Sequence, residues 1–240
     1  MTSRHHHHPD VSSFSRSILP ARASGLGVAL ANAVGAPGAR LESVQDLARW
    51  RDALRARLRA ERAALPALAR AGLAAAILPR LDQLVARALP DGVQGRRIFA
   101  YRPINGEIDL TDWMSALAEA GAIVAVPRTR SHQMPFGFRR WRPEDEAAEA
   151  AQNCPSMVPD SDEIIMPDVV VVPMLGWDAA GYRLGYGSGY FDRTLARLAP
   201  SVRRIGVALQ QAHVQTLNPQ PFDIRMHHIV TQTATHDFPV

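Results

Sequence analysis

Three glycines, Gly185, Gly187 and Gly189, alternate with Tyr186, Ser188 and Tyr190. Upstream, Val169 to Val172 is an unbroken β-branched run ended by Pro173, the pattern of a strand buried on both faces of a parallel sheet. Downstream, Phe191 to Leu198 carries Leu195 and Leu198 at helical spacing behind a charged first turn. A glycine-rich turn between such a strand and a helix constrains the fold strongly. It requires a sheet whose strand ends open onto a loop, where backbone N–H groups converge because no side chain blocks them. Such a turn is either a plain tight connection or an anion cradle assisted by the following helix. The flanks favour the cradle, because Arg183 supplies a fixed cation and Asp192 a carboxylate suited to Mg²⁺. The spacing is neither GxxxxGK[ST] nor GxGxxG.

The run from Pro173 through Gly176-Trp177-Asp178 and Arg183-Leu184-Gly185-Tyr186-Gly187-Ser188-Gly189-Tyr190-Phe191-Asp192 resembles the signature of the 5-formyltetrahydrofolate cyclo-ligases, also called methenyltetrahydrofolate synthetases. That signature is a strand ending in Pro-Gly, an aromatic-Asp pair, and then Arg-Leu-Gly-x-Gly-x-Gly-Tyr-Tyr-Asp. The resemblance extends over roughly residues 48 to 235. In the family a first helix carries Lys and Arg four residues apart on ATP phosphates, and Arg51 and Arg55 fall on those positions. Tyr101, Pro103, Glu107 and Asp109 reproduce the family's Tyr-x-Pro-x-x-x-Glu-x-Asp, whose Glu meets the folate; Arg102 fits the same pocket. Near the end, Pro221-Phe-Asp-Ile-Arg-Met-His-His-Ile-Val-Thr231 resembles His-Asp-x-x-x-Asp-x-Ile-Val-Thr, with Asp223 on the first Asp, a Mg²⁺ ligand in the family.

The resemblance therefore implies a site in three parts. ATP would meet Arg51, Arg55, Arg183, Leu184, the loop Gly185, Tyr186, Gly187, Ser188, Gly189, and then Tyr190 and Phe191. The reduced folate would meet Arg102, Glu107 and the same Tyr186 to Tyr190 run, with Arg183 and Tyr190 catalytic and Asp192 and Asp223 holding Mg²⁺. The implied reaction is ATP- and Mg²⁺-dependent cyclisation of 5-formyltetrahydrofolate to 5,10-methenyltetrahydrofolate. Four positions depart from the family. Arg51 replaces Lys, Ser188 stands where some relatives carry Lys, Phe222 and His227 replace a His and an Asp, and Asn153 to Pro159 lacks the Gly-Ile-x-Glu-Pro motif. The lost Gly-Ile-x-Glu-Pro motif, Arg51 and His227 keep open a family-like protein that binds folate or nucleotide without turnover. A generic nucleotide- or sugar-phosphate-binding domain would leave Glu107 and Asp223 together unexplained.

The remaining sequence is consistent with an α/β domain of one open, mainly parallel sheet with helices on both faces, a Rossmann-like three-layer arrangement. Ser43 is an N-cap for a helix to about Leu65, on which Leu47, Leu54 and Leu58 form the apolar stripe bordered by Arg51 and Arg55. Ala67 to Leu89 reads as a second helical region interrupted near Pro79. Strands follow at Arg97 to Tyr101, Ala122 to Val126, Met134 to Trp141, Arg204 to Leu209 and Ile229 to Thr233, with a helix over Thr111 to Ala120. Met134, Phe136 and Phe138 alternate as a half-buried strand does, which suits core packing; the family uses this hairpin near the folate.

Residues 1–42 are rich in Ala, Gly, Ser and Pro without periodicity and read as a disordered extension before a domain over 43–240. His5 to His8 have no second ligand cluster beside them, so they read as composition rather than a metal site. The one cysteine, Cys154, excludes an internal disulfide and fits a reducing compartment. All 27 basic residues are Arg, and the net charge of +4 is modest for 240 residues. The arginines are scattered without interleaved stacking aromatics, so small anionic substrates are expected rather than nucleic acid. No apolar run approaches a membrane span, which leads to the expectation of a cytoplasmic monomer.

Overall fold

The structure is a computed structural model, and it describes residues 43–128, 134–144 and 166–239. The sequence expectations for residues 1–42, Cys154 and the segment from Asn153 to Pro159 lie outside these residues. In chain order the elements are α1 (Val44–Ala63), α2 (Ala67–Ala88), β1 (Arg97–Phe99), α3 (Thr111–Glu119), β2 (Ile123–Arg128) and β3 (Gly137–Arg140). They continue with β4 (Val169–Pro173), β5 (Gly176–Asp178), β6 (Arg183–Leu184), α4 (Tyr190–Leu195), β7 (Arg203–Val207), β8 (His213–Val214), β9 (His228–Val230) and β10 (Thr235–Asp237).

The valine run forms β4, the middle of a seven-stranded sheet ordered β10-β9-β7-β4-β1-β2-β3. Pairing is parallel from β9 through β2, and the edge strands β10 and β3 are antiparallel. Successive residues of a strand face opposite sides of the sheet. Val170 and Val172 pack with Leu195, Val202 and Ile229 on one face. Val169 and Val171 point to the other face and are equally buried, so the sheet is covered on both sides. On that account the expected open, mainly parallel α/β sheet is what the chain forms. From β1 the chain builds β2 and β3 on one flank and then returns to lay β4 on the other. The strand order thus reverses between β1 and β4, where the carboxyl ends of an open α/β sheet leave a crevice.

Ser43 caps α1 as expected, its side chain accepting the Asp46 N–H at 3.1 Å. Leu47, Leu54 and Leu58 are its buried stripe. α2 differs from expectation, running without a break through Pro79. Arg80, just after the proline, donates through Nη1 to the Ala76 carbonyl one turn back. α1 and α2 turn by 103° across the break that holds Pro66. Among the described residues no single helix is long and apolar enough to cross a membrane.

A second sheet, β6-β5-β8, was not expected. Strands of two or three residues carry no readable periodicity. Gly176 lets α1 approach it: a Cβ there would lie 2.7 Å from Leu58 Cδ1. α4 is also shorter than the expected Phe191 to Leu198, starting at Tyr190 and ending at Leu195. A helix of one and a half turns adds little dipole, so the loop ahead of it depends on its own amides and on neighbouring cations.

Candidate active site

The crevice at the sheet reversal is a cleft of about 450 Å³. Its walls come from the carboxyl ends of β1, β2 and β4, from α1, from the glycine-rich loop and from the turn before β9. Every site residue expected from the sequence lines it: Arg51, Arg55, Arg102, Glu107, the whole Arg183 to Asp192 run and Asp223. They come from positions up to 172 residues apart, so the fold, not local sequence, brings them together.

The glycine-rich loop is braced by two arginines. Arg55 Nε donates to the Gly185 carbonyl at 2.9 Å, and Arg193 Nη2 to the Ser188 carbonyl at 2.9 Å. These two bonds occupy the carbonyls at either end of the loop's glycine stretch. Gly187 (φ +101°) and Gly189 (φ +67°) adopt left-handed backbone, and a Cβ at Gly189 would meet Arg193 Nη1 at 2.8 Å. Ser188 is exposed at the crest of the loop, and Leu184 is buried at its base.

Arg183 is 8% exposed and closes the loop through Asp192, Nη2 to Oδ1 at 2.6 Å. Its Nη1 donates to the Ile224 carbonyl at 3.0 Å. Burial pulls this guanidinium below its ordinary pKa, opposed by Asp192 and Asp223. Arg51 Nη2 pairs with Asp223 Oδ2 at 2.6 Å and bonds the Asn218 carbonyl at 3.0 Å, while Nε takes the Leu217 carbonyl at 3.1 Å.

Asp192 and Asp223 bear on the expected Mg²⁺. Among the described residues no group of three or more His, Cys, Asp or Glu is arranged around a metal. Mg²⁺ commonly needs one or two carboxylates, with phosphate oxygens and water completing its shell. Asp192 and Asp223 both line the cleft and each holds an arginine at 2.6 Å through one oxygen, Arg183 and Arg51 respectively, so their other oxygens are what an ion carried in by nucleotide phosphates would use.

Opposite the loop, Glu107 is 8% exposed. Its Oε2 accepts the Ile104 N–H at 3.0 Å, and Oε1 stands 4.0 Å from Arg62 Nη1. Burial raises its pKa above the ordinary value, with the Ile104 amide, Arg62 and Tyr186 pulling it back. Glu107 does not cap α3; the N-cap is Leu110, and Asp109 just before it accepts the Thr111 N–H at 2.9 Å. Burial, then Glu107, push the Tyr186 phenol up. Phe136 supplies an aromatic wall, stacking on Tyr190 at 4.9 Å and edge-on to Phe191 at 5.1 Å. Thr194 fixes that wall by accepting the Phe136 N–H at 2.9 Å. The alternation at Met134, Phe136 and Phe138 thus divides: Phe138 packs on Phe99 in the core, and Phe136 faces the cleft.

Three further residues change roles once placed. Asp178, from the aromatic-Asp pair, is 1% exposed and accepts the Ala180, Tyr182 and Leu217 N–H groups. It is a joint holding the turn that Arg51 grips. His227 stands away from the cleft, its Nδ1 accepting the Arg204 N–H at 3.0 Å. Arg62 was missed, although it is buried beside Glu107 and Tyr186. It stands eleven residues after Arg51, which puts it on the same helical stripe.

A doubly wound α/β sheet with a glycine-rich, arginine-lined cleft at its reversal point defines an α/β protein of the kind whose ligand site lies outside the strands' carboxyl ends. The chain belongs to the 5-formyltetrahydrofolate cyclo-ligase family, whose model matches residues 48–232. The 5-formyltetrahydrofolate cyclo-ligase of Mycolicibacterium smegmatis is 30% identical over 190 residues, covering 76% of this chain and 94% of that protein. The Escherichia coli K12 cyclo-ligase is 26% identical over 156 residues, covering 62% of this chain and 85% of its own. Among solved structures, the 5,10-methenyltetrahydrofolate synthetase of Mycoplasma pneumoniae superposes with a TM-score of 0.58 at 23% identity, covering 76% of this chain and 98% of that one. That of Aquifex aeolicus gives 0.57 at 23% identity over 78% and 92%. These two likenesses speak for the fold.

Proposed function

We propose that the protein cyclises 5-formyltetrahydrofolate to 5,10-methenyltetrahydrofolate at the expense of ATP, releasing ADP and phosphate. The observation that carries this reading is that Arg51, Arg55, Arg102, Glu107, the Arg183 to Asp192 run and Asp223, the residues to which the resemblance gives a ligand role, all line one cleft. The carbonyl oxygen of an N-formyl group is a poor leaving group. Transfer of the γ-phosphoryl group to that oxygen activates the carbon; N10 then attacks it and loses its proton, and phosphate departs with the C–O bond electrons.

The protein's part is positioning and charge neutralisation. Arg55, Arg183 and the amides of Gly185 to Gly189 face the phosphates, with Arg51 at the rim. Glu107 accepts N–H donors from the pterin, Arg102 lies beside it, and Phe136, Tyr190 and Phe191 flank the ring. Tyr190 and Arg183 adjoin both substrates, which is the position from which they act on the transferring group. Asp192 and Asp223 would hold Mg²⁺, which when bound offsets charge on the phosphate oxygens.

The test is absorbance of methenyltetrahydrofolate formed from 5-formyltetrahydrofolate and Mg-ATP. Product formation that requires both substrates supports the proposal. Binding of both with no product would assign a binding role instead.

A further inference from the structure

Arg62 belongs to the arginine stripe of α1 but does not line the cleft; it stands behind two residues that do. Its side chain is 5% exposed. An arginine buried to this degree is tolerated when its donors are used. Nη2 donates to the Met174 carbonyl just past β4. Nη1 donates to the Tyr186 hydroxyl at 3.2 Å and stands 4.0 Å from Glu107 Oε1. One guanidinium therefore joins the end of the central strand, the glycine-rich loop and the loop after β1.

The loop after β1 packs against this side chain. Gly106 has φ +75°, and a Cβ there would lie 3.5 Å from Arg62 Cγ. Glu107 Oε2 is already committed to the Ile104 N–H, and Oε1 is the oxygen that faces Arg62, at ion-pair distance. Arg62 also helps to keep the buried carboxyl ionised, together with the Ile104 amide and Tyr186. We propose that Arg62 is the positioning residue of the folate half of the site, fixing the Glu107 carboxylate and the Tyr186 hydroxyl relative to one another so that the two loops form a single surface for the pterin. This inference rests on the cyclo-ligase reading of the cleft.

The experiment compares wild type with Arg62→Gln, Arg62→Lys, Glu107→Gln and the Arg62→Gln/Glu107→Gln double variant, using variants whose melting shows a folded protein. Arg62→Gln should raise the KM for 5-formyltetrahydrofolate about tenfold or more and that for ATP by less than about threefold, since Arg62 acts through the pterin-side carboxylate. Arg62→Lys keeps the charge and should fall between the two. The double variant should fall well short of the product of the two single effects, because the Arg62–Glu107 interaction is lost in both while the bond to the Tyr186 hydroxyl is lost only with Arg62. Equal rises in both KM values, or effects that multiply in the double variant, would overturn the proposal. If Arg62→Gln does not fold, Arg62→Lys carries the same comparison of the two KM values.

A second readout needs no turnover. In ligand-free protein with ¹³C-labelled glutamate carboxyls, the Glu107 signal, assigned by its loss in Glu107→Gln, should titrate at higher pH in Arg62→Gln than in wild type. An unchanged midpoint would also overturn the proposal. Wild type that makes no product would remove the functional reading and leave this titration to decide what Arg62 does to Glu107.

Discussion

Arg183 and Asp192 stand at the two ends of the glycine-rich loop and close it with a 2.6 Å ion pair. The same carboxylate oxygen accepts the Ile224 N–H at 3.2 Å, so the pair also ties the loop to the turn before β9. Asp192 is thus at once a clasp for the loop and the expected metal ligand, and the two roles predict different losses.

Asp192→Asn keeps the bulk but leaves the Arg183 guanidinium, 3% exposed, without its closest anion. Removing one partner of such a pair costs about 1–3 kcal/mol, reduced here because Asp223 is near. A clasp would lower the melting temperature and lower kcat by a factor that does not depend on Mg²⁺. A metal ligand adds a fall in kcat of about 10²-fold that extra Mg²⁺ partly recovers. We expect both, and kcat against Mg²⁺ concentration at matched stability separates them. Superimposable normalised curves would remove the metal assignment.

If Glu107 meets the pterin as proposed, Glu107→Gln should raise the KM for the folate far more than that for ATP, because the arginines proposed for the phosphates come from α1 and the glycine-rich loop while Glu107 comes from the loop after β1. The substitution also has a stability signature. A carboxyl whose pKa is raised on folding holds its proton more tightly in the native state. Its contribution is most favourable at low pH and is lost as pH rises from the ordinary carboxyl range through the raised folded value. Urea unfolding across that window should show wild type losing stability more steeply than Glu107→Gln. Parallel curves would contradict it.

His227 works in the opposite direction. Burial, then Arg204 and Arg203, bring its pKa from 6.5 to about 4, and the Arg204 N–H on Nδ1 requires that nitrogen unprotonated. The unfolded chain therefore binds the proton first, and native stability falls as pH drops from about 6.5 toward 4. The loss should be about 2–3 kcal/mol. His227→Asn can still accept the Arg204 N–H and should flatten that part of the profile. Melting at pH 7 and pH 4.5 for both proteins checks this, and equal slopes would refute it.

Deleting residues 1–42 should leave melting temperature and kcat close to full-length values. Their composition offers little apolar surface to offset ordering, and α1 carries its own N-cap in Ser43. A fall of more than several degrees would show that the extension matters.

The central strand, the glycine-rich loop and the α1 arginines were legible because each has a strong local signature: a β-branched run, alternating glycines, an apolar stripe with charged borders. Arg62 was illegible in part because arginine in a last helical turn is ordinarily a solvated cation; its helical phase linked it to Arg51, but burial depends on where β4 and the loop after β1 arrive. Asp178 looked like part of the binding signature and proved to be a backbone joint, a distinction set by three N–H groups that converge only after folding. His227 matched an expected Asp in register, yet its neighbour Arg204 comes from β7, which sequence position does not reveal.

Arg51 puts the family's Lys-to-Arg departure to a direct test. Its guanidinium spans two carbonyls, Leu217 and Asn218, and the Asp223 carboxylate at once. A lysine ammonium is a point donor and cannot hold that fork, though it keeps the charge. Arg51→Lys should therefore lose about 1–2 kcal/mol of stability, a fall of several degrees in Tm, while the KM for ATP changes less than about threefold. Arg51→Ala removes charge as well as fork, and should raise the KM for ATP by about tenfold or more in addition to lowering Tm. Melting temperatures and ATP saturation curves for the two variants decide the matter. If Arg51→Ala melts early but saturates with ATP as wild type does, Arg51 ties the Asp223 turn and takes no part in holding phosphate.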